Sequence, residues 1–324
     1  MNKDGLLLVD KHAGCTSHDI VQQCRRLLRQ KKIGHCGTLD PGATGLLVLT
    51  VGRATRLTRF LIRAPKVYEG VIRFGIETDT YDAGGETVAE NPIDDLTHDA
   101  VVQAMEGFQG TLLQQAPRYS AKKKDGKRFY QLARSGEEVP ESTKEVQIFE
   151  FSPQGELADG RLPFRLGCSS GTYARSMAHD LGQALGCGAH LAELRRLQVG
   201  AFRLDDAATI EELEDRRAEL LAPDGAPEPG QAAGLGTNGT DTDWLGNAWI
   251  PFDRIPLPFG QVVADAKQQQ RINNGQTVLV RDLEGEEGDW VQLLDQRQHF
   301  IAVGTIAERI GDRVGVIQPR VVFK

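Results

Sequence analysis

The strongest constraint on the fold is the stretch at residues 34–50, GHCGTLDPGATGLLVLT, in which a glycine-rich polar half runs directly into an apolar half. The apolar run at residues 46–49, LLVL, predicts a buried β-strand. The glycines and the proline of the polar half predict more than one turn. Because a loop fixed to a core strand holds a side chain rigidly but leaves it accessible, Asp40 is a candidate catalytic group.

Asp40 can also be explained without catalysis, because an aspartate before a proline is common at the start of a turn. Its neighbours favour a site: His35 and Thr38 lie close by, between glycines that let a ligand approach the backbone. No Gly-Lys-Ser/Thr follows these glycines, as it would in a phosphate-binding loop. The G-x-S-x-G pattern of a nucleophile elbow is also missing from this stretch, which contains no serine. The carboxylate therefore remains the candidate reactive group of this loop.

The residues before this stretch predict a strand followed by a helix. Residues 5–10 predict a short strand, and Thr16 or Ser17 can cap a helix that continues to about residue 30. Apolar residues recur at helical spacing through this segment, which predicts one buried face. The residues of that face are Ile20, Val21, Cys24, Leu27 and Leu28.

The pattern G-H-x-G-T-L-D-P-x-A-T-G-L-L resembles the central motif of the TruB-type tRNA pseudouridine synthases, of the bacterial stand-alone kind. The resemblance extends over about residues 5–204 through several motifs in the same order. It implies that Asp40 is the catalytic aspartate and that His35 lies against the RNA near the flipped base. It also implies an α/β (α+β) pseudouridine synthase fold, with a mixed, mainly antiparallel central sheet flanked by helices.

Later motifs of the same family supply further expected site residues. A K-x-Y motif implies that Tyr68 stacks on the target base and takes part in proton transfer; without the resemblance Tyr68 would be a core aromatic. The segment C-S-x-G-T-Y-x-R implies that Tyr173 lines the base pocket and that Arg175 pairs with Asp40. Since a nearby opposite charge lowers the pKa of a carboxylate, Arg175 is expected to keep Asp40 ionised. In the next block, Leu194 would form a wall of the uracil pocket.

Four further charged positions lie in these segments. Asp79 and Asp82 are turn carboxylates or groups that orient the active site, and the turn role is favoured. Arg195 and Arg196 are candidates for contacts with phosphate.

Residues 115–136, QAPRYSAKKKDGKRFYQLARSG, combine the densest basic cluster of the chain with three aromatic residues. This mixture suits a loop that follows an RNA backbone and stacks on bases. It resembles the family insertion that grips tRNA, which implies substrate contacts for Lys122 and Lys127. Two more basic clusters, at residues 25–32 and 53–66, flank the glycine-rich stretch. Although the net charge is −7, local potential attracts phosphates, so RNA remains the expected partner.

The overall composition is that of an ordinary soluble protein, with 40% hydrophobic and 26% charged residues. No apolar run approaches the roughly 20 residues of a membrane span, and the N-terminus lacks the features of a signal peptide, so a cytoplasmic location and no membrane contact are expected. The 5 cysteines form no CxxC pair, which indicates neither a disulfide framework nor a zinc site. No metal and no cofactor are expected.

The 324 residues predict three parts. Residues 1–221 form the expected catalytic domain. Residues 222–249 are rich in glycine and proline and predict a linker or insertion. Residues 250–324 contain short alternating runs separated by Gly and Asp, which predict a small β domain whose position matches the PUA-like RNA-binding domain of the family. A monomer that requires no protein partner is expected.

The resemblance implies isomerisation of uridine to pseudouridine at position 55 in the T arm of tRNA. The base would be flipped, detached with Asp40 as a nucleophile towards either ribose C1′ or the base ring, and rejoined to the ribose through C5. Two other classes remain open: an RNA-binding or tRNA-folding protein, and a small-molecule hydrolase with an aspartate nucleophile. The hydrolase would not need three basic clusters.

Overall fold

More of the described residues lie in β-strands than in α-helices. The computed structural model describes residues 3–117, 119, 123–124, 127–129, 132, 135, 137, 140, 142–221, 242–311 and 313–323. In chain order the strands are β1 (Gly5–Lys11), β2 (Ile33–His35), β3 (Thr44–Val51), β4 (Lys66–Phe74), β5 (Ile76–Thr78), β6 (Thr87–Glu90), β7 (Gly110–Gln115), β8 (Lys123–Lys124), β9 (Lys127–Arg128), β10 (Thr143–Pro153), β11 (Arg161–Cys168), β12 (Ala189–Val199), β13 (Phe202–Arg203), β14 (Trp249–Pro251), β15 (Gly260–Val263), β16 (Val278–Arg281), β17 (Trp290–Leu294), β18 (Phe300–Ile310) and β19 (Val314–Val322).

Ten of these strands form one large sheet within the described residues. Their order is β14-β1-β3-β12-β4-β11-β10-β7, with β2 paired to β3 and β13 paired to β12. The pair β3–β12 is parallel, and the other described pairings of this sheet are antiparallel. The predicted mixed, mainly antiparallel central sheet is therefore confirmed.

Strand β3 contains the apolar run that predicted a buried strand. Leu47 and Leu49 pack into one hydrophobic cluster, while Leu46 and Val48 pack into another on the opposite face. Because both faces of β3 are covered, every position in the run is apolar and none alternates with a polar residue. This strand fixes the C-terminal end of the loop that carries Asp40.

Helices pack against the sheets, and the first helix begins with a side-chain cap. At the first helix, the Thr16 hydroxyl accepts a hydrogen bond from the Asp19 backbone N–H, and the Asp19 carboxylate accepts one from the Thr16 N–H. The apolar face predicted for this helix is buried. None of the described helices is both long enough and apolar enough to cross a membrane. The helices are α1 (Ser17–Leu28), α2 (Thr58–Leu61), α3 (His98–Glu106), α4 (Ala174–Ala184), α5 (Ile210–Leu221) and α6 (Ala266–Asn273).

A second sheet of five strands, in the order β15-β17-β18-β19-β16, forms the small β domain expected near the C-terminal end. Its residues Phe300 and Phe323 share one hydrophobic cluster with Leu6 and Leu8 of β1. Strand β14, which spans the predicted boundary at residue 250, pairs with β1 in the large sheet. The second sheet is thus attached to the first through a shared apolar core.

Candidate active site

Asp40 and Arg175 form a two-point ion pair, although they are 135 residues apart in the sequence. Asp40 lies in the loop between β2 and β3, and Arg175 is in the first turn of α4. The Arg175 Nε lies 2.9 Å from Asp40 Oδ2, and Arg175 Nη2 donates to Asp40 Oδ1 at 3.2 Å. This two-point contact fixes the orientation of the carboxylate as well as its distance. The structure therefore brings together the two residues that the family motif implies should pair.

The remaining contacts of the Arg175 guanidinium come from two other segments. Its side chain is 7% exposed, and it donates to the backbone oxygens of Thr80 at 3.0 Å and Tyr119 at 2.9 Å. Asp82 Oδ2 lies 3.5 Å from Arg175 Nη1. Asp82 also accepts a hydrogen bond from the Thr80 hydroxyl at 2.7 Å. It therefore stabilises the turn in which it lies and contacts Arg175 as well. The favoured prediction, a turn role alone, is incomplete.

The Asp40 side chain is 42% exposed, so one side of the carboxylate is open to a substrate. Burial of its other side raises the pKa of Asp40 above its ordinary value, and the nearby charge of Asp82 raises it further. Arg175 opposes this shift. Arg175 thus favours the ionised form of Asp40, as predicted, but the loss of water around the carboxylate outweighs this attraction, so the net shift of the pKa is upward.

Two buried polar side chains hold the backbone on either side of Asp40. The Ser17 hydroxyl accepts a hydrogen bond from the Leu39 N–H at 2.8 Å, and it lies 3.1 Å from the Leu39 oxygen. Lys11 is completely buried, and its ammonium donates to the backbone oxygens of Pro41 at 3.3 Å and Ala43 at 2.7 Å. The loop is therefore anchored immediately before and immediately after the carboxylate, which limits how far Asp40 can move.

Arg196 anchors the same loop from the sheet. It is 1% exposed, and its guanidinium donates to the backbone oxygens of Leu46 at 2.7 Å and Gly37 at 3.1 Å. The prediction that Arg196 reaches phosphate is wrong, because its strand is central and this side chain points into the protein. The neighbouring Arg195 is 43% exposed and pairs with Asp10 at 2.6 Å.

Tyr68 lies on β4, and Leu194 lies on the neighbouring strand β12. Both are half-buried and pack against the two hydrophobic clusters on the α1 side and the α4 side of the sheet. Arg196 is the cross-strand partner of Tyr68. Burial raises the pKa of Tyr68, while the charge of Arg196 and its hydrogen bond to the phenol oppose that rise. The phenol therefore keeps its proton at neutral pH.

Comparison with known proteins identifies the family. The model of the TruB family pseudouridylate synthase N-terminal domain matches residues 25–174, and that of the tRNA pseudouridylate synthase B C-terminal domain matches residues 175–222. A third model, the C-terminal domain of pseudouridine synthase II TruB, matches residues 260–323. The tRNA pseudouridine synthase B of Solibacter usitatus is 50% identical, covering 94% of this chain and 96% of that protein. The chain belongs to the TruB family.

Other relatives agree with this assignment. The tRNA pseudouridine synthase B of Nitrosococcus oceani is 38% identical, over 94% of this chain and 91% of that protein. Among solved structures, a Cbf5-Nop10-Gar1 complex contains a chain that matches with a TM-score of 0.73 at 23% identity, covering 99% of this chain and 85% of the other. This structural likeness supports the pseudouridine synthase fold.

Two further residues implied by the TruB motifs lie at the ends of elements that lead into the site. His35 ends β2, just before the Asp40 loop. Its Nδ1 is buried and has no hydrogen-bond partner among the described residues, and burial lowers the pKa of His35, so the ring is neutral. Tyr173 is the N-cap of α4, and its backbone N–H donates to the Gln114 side-chain oxygen at 2.7 Å. The end of β2 thus fixes the backbone of His35 before the Asp40 loop, and the start of α4 fixes the backbone of Tyr173 before Arg175.

The two lysines assigned to tRNA contacts lie in the basic insertion of this TruB family member. Lys122 is outside the described residues. The backbone of Lys127 is described, and it pairs with Lys124 in the short β8–β9 hairpin. Their contacts with RNA remain predictions.

Proposed function

We propose that this protein isomerises uridine 55 in the T arm of tRNA, with Asp40 as the nucleophile. As a TruB family member, the chain is a tRNA pseudouridine synthase, an isomerase that converts uridine to pseudouridine in tRNA. The position in the tRNA and the roles of individual residues are the proposal. The observation that supports it most is the open side of a carboxylate that Arg175 holds at two points.

The reaction breaks the bond between ribose C1′ and N1 of uracil, rotates the base, and joins C1′ to C5, from which a proton leaves. The base must first leave the RNA stack and enter a site that excludes water. In the proposal, an Asp40 oxygen attacks either ribose C1′ or the base ring, and the bond that it forms breaks again before the product leaves, so the carboxylate is regenerated. Arg175 keeps that oxygen oriented throughout. Substrate and product are isomers, so the overall reaction consumes no co-reactant.

Tyr68 and Leu194 would enclose the flipped uracil. Both side chains are half-buried between two hydrophobic clusters, which is a suitable environment for the face of a base. The Tyr68 hydroxyl would help to remove the C5 proton. Because burial raises its pKa, Tyr68 would act in a relay that accepts one proton while passing on another, and not as a phenolate. Tyr173 and His35 would complete the contacts around the base.

The basic clusters would bind the tRNA backbone around this site. Since phosphate contacts release counterions, tRNA binding should weaken steeply with salt. We propose that Lys122 and Lys127 contribute to these contacts and that the enzyme acts in the cytoplasm as a monomer. The Cbf5 chain that it resembles was solved with Nop10 and Gar1; the proposal requires no such partner here.

The test is to incubate the protein with an unmodified tRNA transcript and to map pseudouridine at nucleotide resolution. Product is expected at position 55, and a transcript with cytidine at that position should give none. The Asp40→Asn variant should bind the transcript but form no product. Modification elsewhere would contradict the assigned position, and conversion by Asp40→Asn would contradict the nucleophile.

A further inference from the structure

Three consecutive residues, Thr80, Tyr81 and Asp82, contact two successive turns of helix α4. Arg175 and His179 are four residues apart and therefore lie on the same face of this helix. Arg175 contacts the residues on either side of Tyr81. Its Nη1 donates to the backbone carbonyl oxygen of Thr80 at 3.0 Å and lies 3.5 Å from Asp82 Oδ2. The residue between them contacts the next turn: the rings of Tyr81 and His179 are stacked, with centroids 3.8 Å apart and an interplanar angle of 9°.

The backbone of Tyr81 is in the left-handed region, with φ of 63°. A bulky residue adopts this conformation only where its surroundings hold it there. Here the backbone N–H of Tyr81 donates to the backbone carbonyl oxygen of Thr78 at 3.1 Å. The backbone carbonyl oxygen of Tyr81 accepts a hydrogen bond from the Leu191 N–H at 3.0 Å. The resulting bend lets the Tyr81 ring lie on His179 while its two neighbours reach Arg175.

His179 offers a flat, largely enclosed ring for this stack. Its side chain is 19% exposed, and Nδ1 is buried without a hydrogen-bond partner among the described residues. The nearest carboxylate oxygen, Glu77 Oε2, is 3.9 Å from Nδ1 and already accepts a hydrogen bond from Gln183 at 2.7 Å. The stack with Tyr81 is therefore the main specific contact of the imidazole in the described structure.

We propose that the Tyr81–His179 stack is a positioning element for catalysis. It holds the loop at residues 80–82 against α4, so that the backbone oxygen of Thr80 and the carboxylate of Asp82 stay in contact with the Arg175 guanidinium. Arg175 in turn orients Asp40. Neither ring needs to touch the substrate for this role. The inference rests on the proposed function of Asp40 and adds two residues that act on it through Arg175.

Matched variants separate the effect of the Tyr81 ring from the effect of the Tyr81 backbone conformation. Tyr81→Gly removes the ring and suits the left-handed backbone, so any loss cannot come from strain at that residue. Tyr81→Phe keeps the ring. On the other side of the stack, His179→Ala removes the ring and His179→Phe retains a flat one. The measured quantities are the single-turnover rate at saturating tRNA, the Kd for tRNA at fixed salt, and Tm.

Tyr81→Gly and His179→Ala should lower the single-turnover rate by about 10- to 100-fold, because a shift of roughly 1 Å in a catalytic group can cost that much. The Kd for tRNA should stay unchanged, and Tyr81→Phe and His179→Phe should keep rates close to that of the unaltered protein. An unchanged rate in Tyr81→Gly, an equal loss in Tyr81→Phe, or a Kd weakened by the same factor as the rate would each overturn the proposal. If Tyr81→Gly does not fold, His179→Ala decides.

A crystal structure of Tyr81→Gly gives a readout that does not depend on activity. The separation of Arg175 Nη1 and Asp82 Oδ2 should increase beyond the 3.5 Å seen here, and an unchanged separation would contradict the inference. If the unaltered protein forms no pseudouridine at position 55, the proposed function fails, while this structural result still decides whether the stack positions the loop.

Discussion

Arg175 and Arg196 are both buried beside the Asp40 loop, but their guanidinium groups hold different partners. Arg175, on helix α4, contacts the carboxylates of Asp40 and Asp82. Arg196, on strand β12, donates to two backbone oxygens and contacts the phenol of Tyr68. Among the residues that the structure describes, Arg196 forms no ion pair with a carboxylate. One arginine therefore holds the reactive side chain, and the other holds the backbone that carries it.

This difference separates two requirements of the site. A carboxylate that is open on one side needs a charged partner to fix its orientation, and Arg175 supplies that partner from the helix. A tight loop on a sheet needs its buried carbonyl groups satisfied, and Arg196 supplies those hydrogen bonds from the sheet. Loss of Arg175 should therefore mainly affect the reaction, whereas loss of Arg196 should mainly affect folding.

The largest effect is expected for Arg175→Met. Without the guanidinium, Asp40 loses its orientation and its pKa rises further, so the single-turnover rate should fall about 100-fold or more. Arg175→Lys is the control for charge alone, since an ammonium cannot make the two-point contact; it should recover only part of the rate. Binding of tRNA should persist in both variants. Full activity of Arg175→Lys would show that orientation by the planar guanidinium is unimportant.

An intermediate effect is expected for Arg196→Met. It leaves the buried oxygens of Leu46 and Gly37 without donors, and the free energy of unfolding should fall by about 1–3 kcal/mol. Urea denaturation measures this change. The neighbouring Arg195→Met is the matched control, because it breaks a partly exposed ion pair with Asp10 and should cost at most about 1 kcal/mol. Equal losses in the two variants would remove the distinction between the buried and the exposed arginine.

The smallest effect concerns the stability of Asp40→Asn as a function of pH. Since the pKa of Asp40 is raised in the folded protein, folding disfavours its ionised form, and this cost is present at neutral pH. Asp40→Asn should therefore be more stable than the unaltered protein at neutral pH. The difference should close as the pH falls through the folded pKa towards the ordinary value of 3.8. Thermal unfolding across this pH range measures it, and a destabilised variant at neutral pH would contradict the sign.

The features that the sequence predicted correctly depend on local patterns or on contiguous motifs. The LLVL run at residues 46–49 predicted strand β3, and Thr16 with the apolar spacing predicted α1. The contact between Asp40 and Arg175 was implied only by the family motif, because neither residue alone distinguishes a site from a surface. Local sequence patterns thus predicted the strand and the helix, and the family resemblance predicted that Asp40 and Arg175 are in contact.

The errors arose where a side chain's environment depends on distant segments. Adjacent strand residues point to opposite faces, so Arg195 and Arg196 could not both reach phosphate, but the sequence does not show that both faces of β12 are covered near Arg196. The stack of Tyr81 on His179 joins segments that no sequence pattern links. Lys11 lies just beyond the strand predicted at residues 5–10, and no strand was predicted around Arg196, so neither anchor had a direct signal in the sequence.

Strand β14 covers the outer edge of β1, with Gly5 paired to Pro251. During synthesis, the first 251 of the 324 residues must leave the ribosome before β1 gains this neighbour. Until then the edge presents free backbone N–H and C=O groups, which can pair with a strand of another molecule. Chains that stop before Trp249 should therefore aggregate through this edge, even though they contain every residue assigned to catalysis.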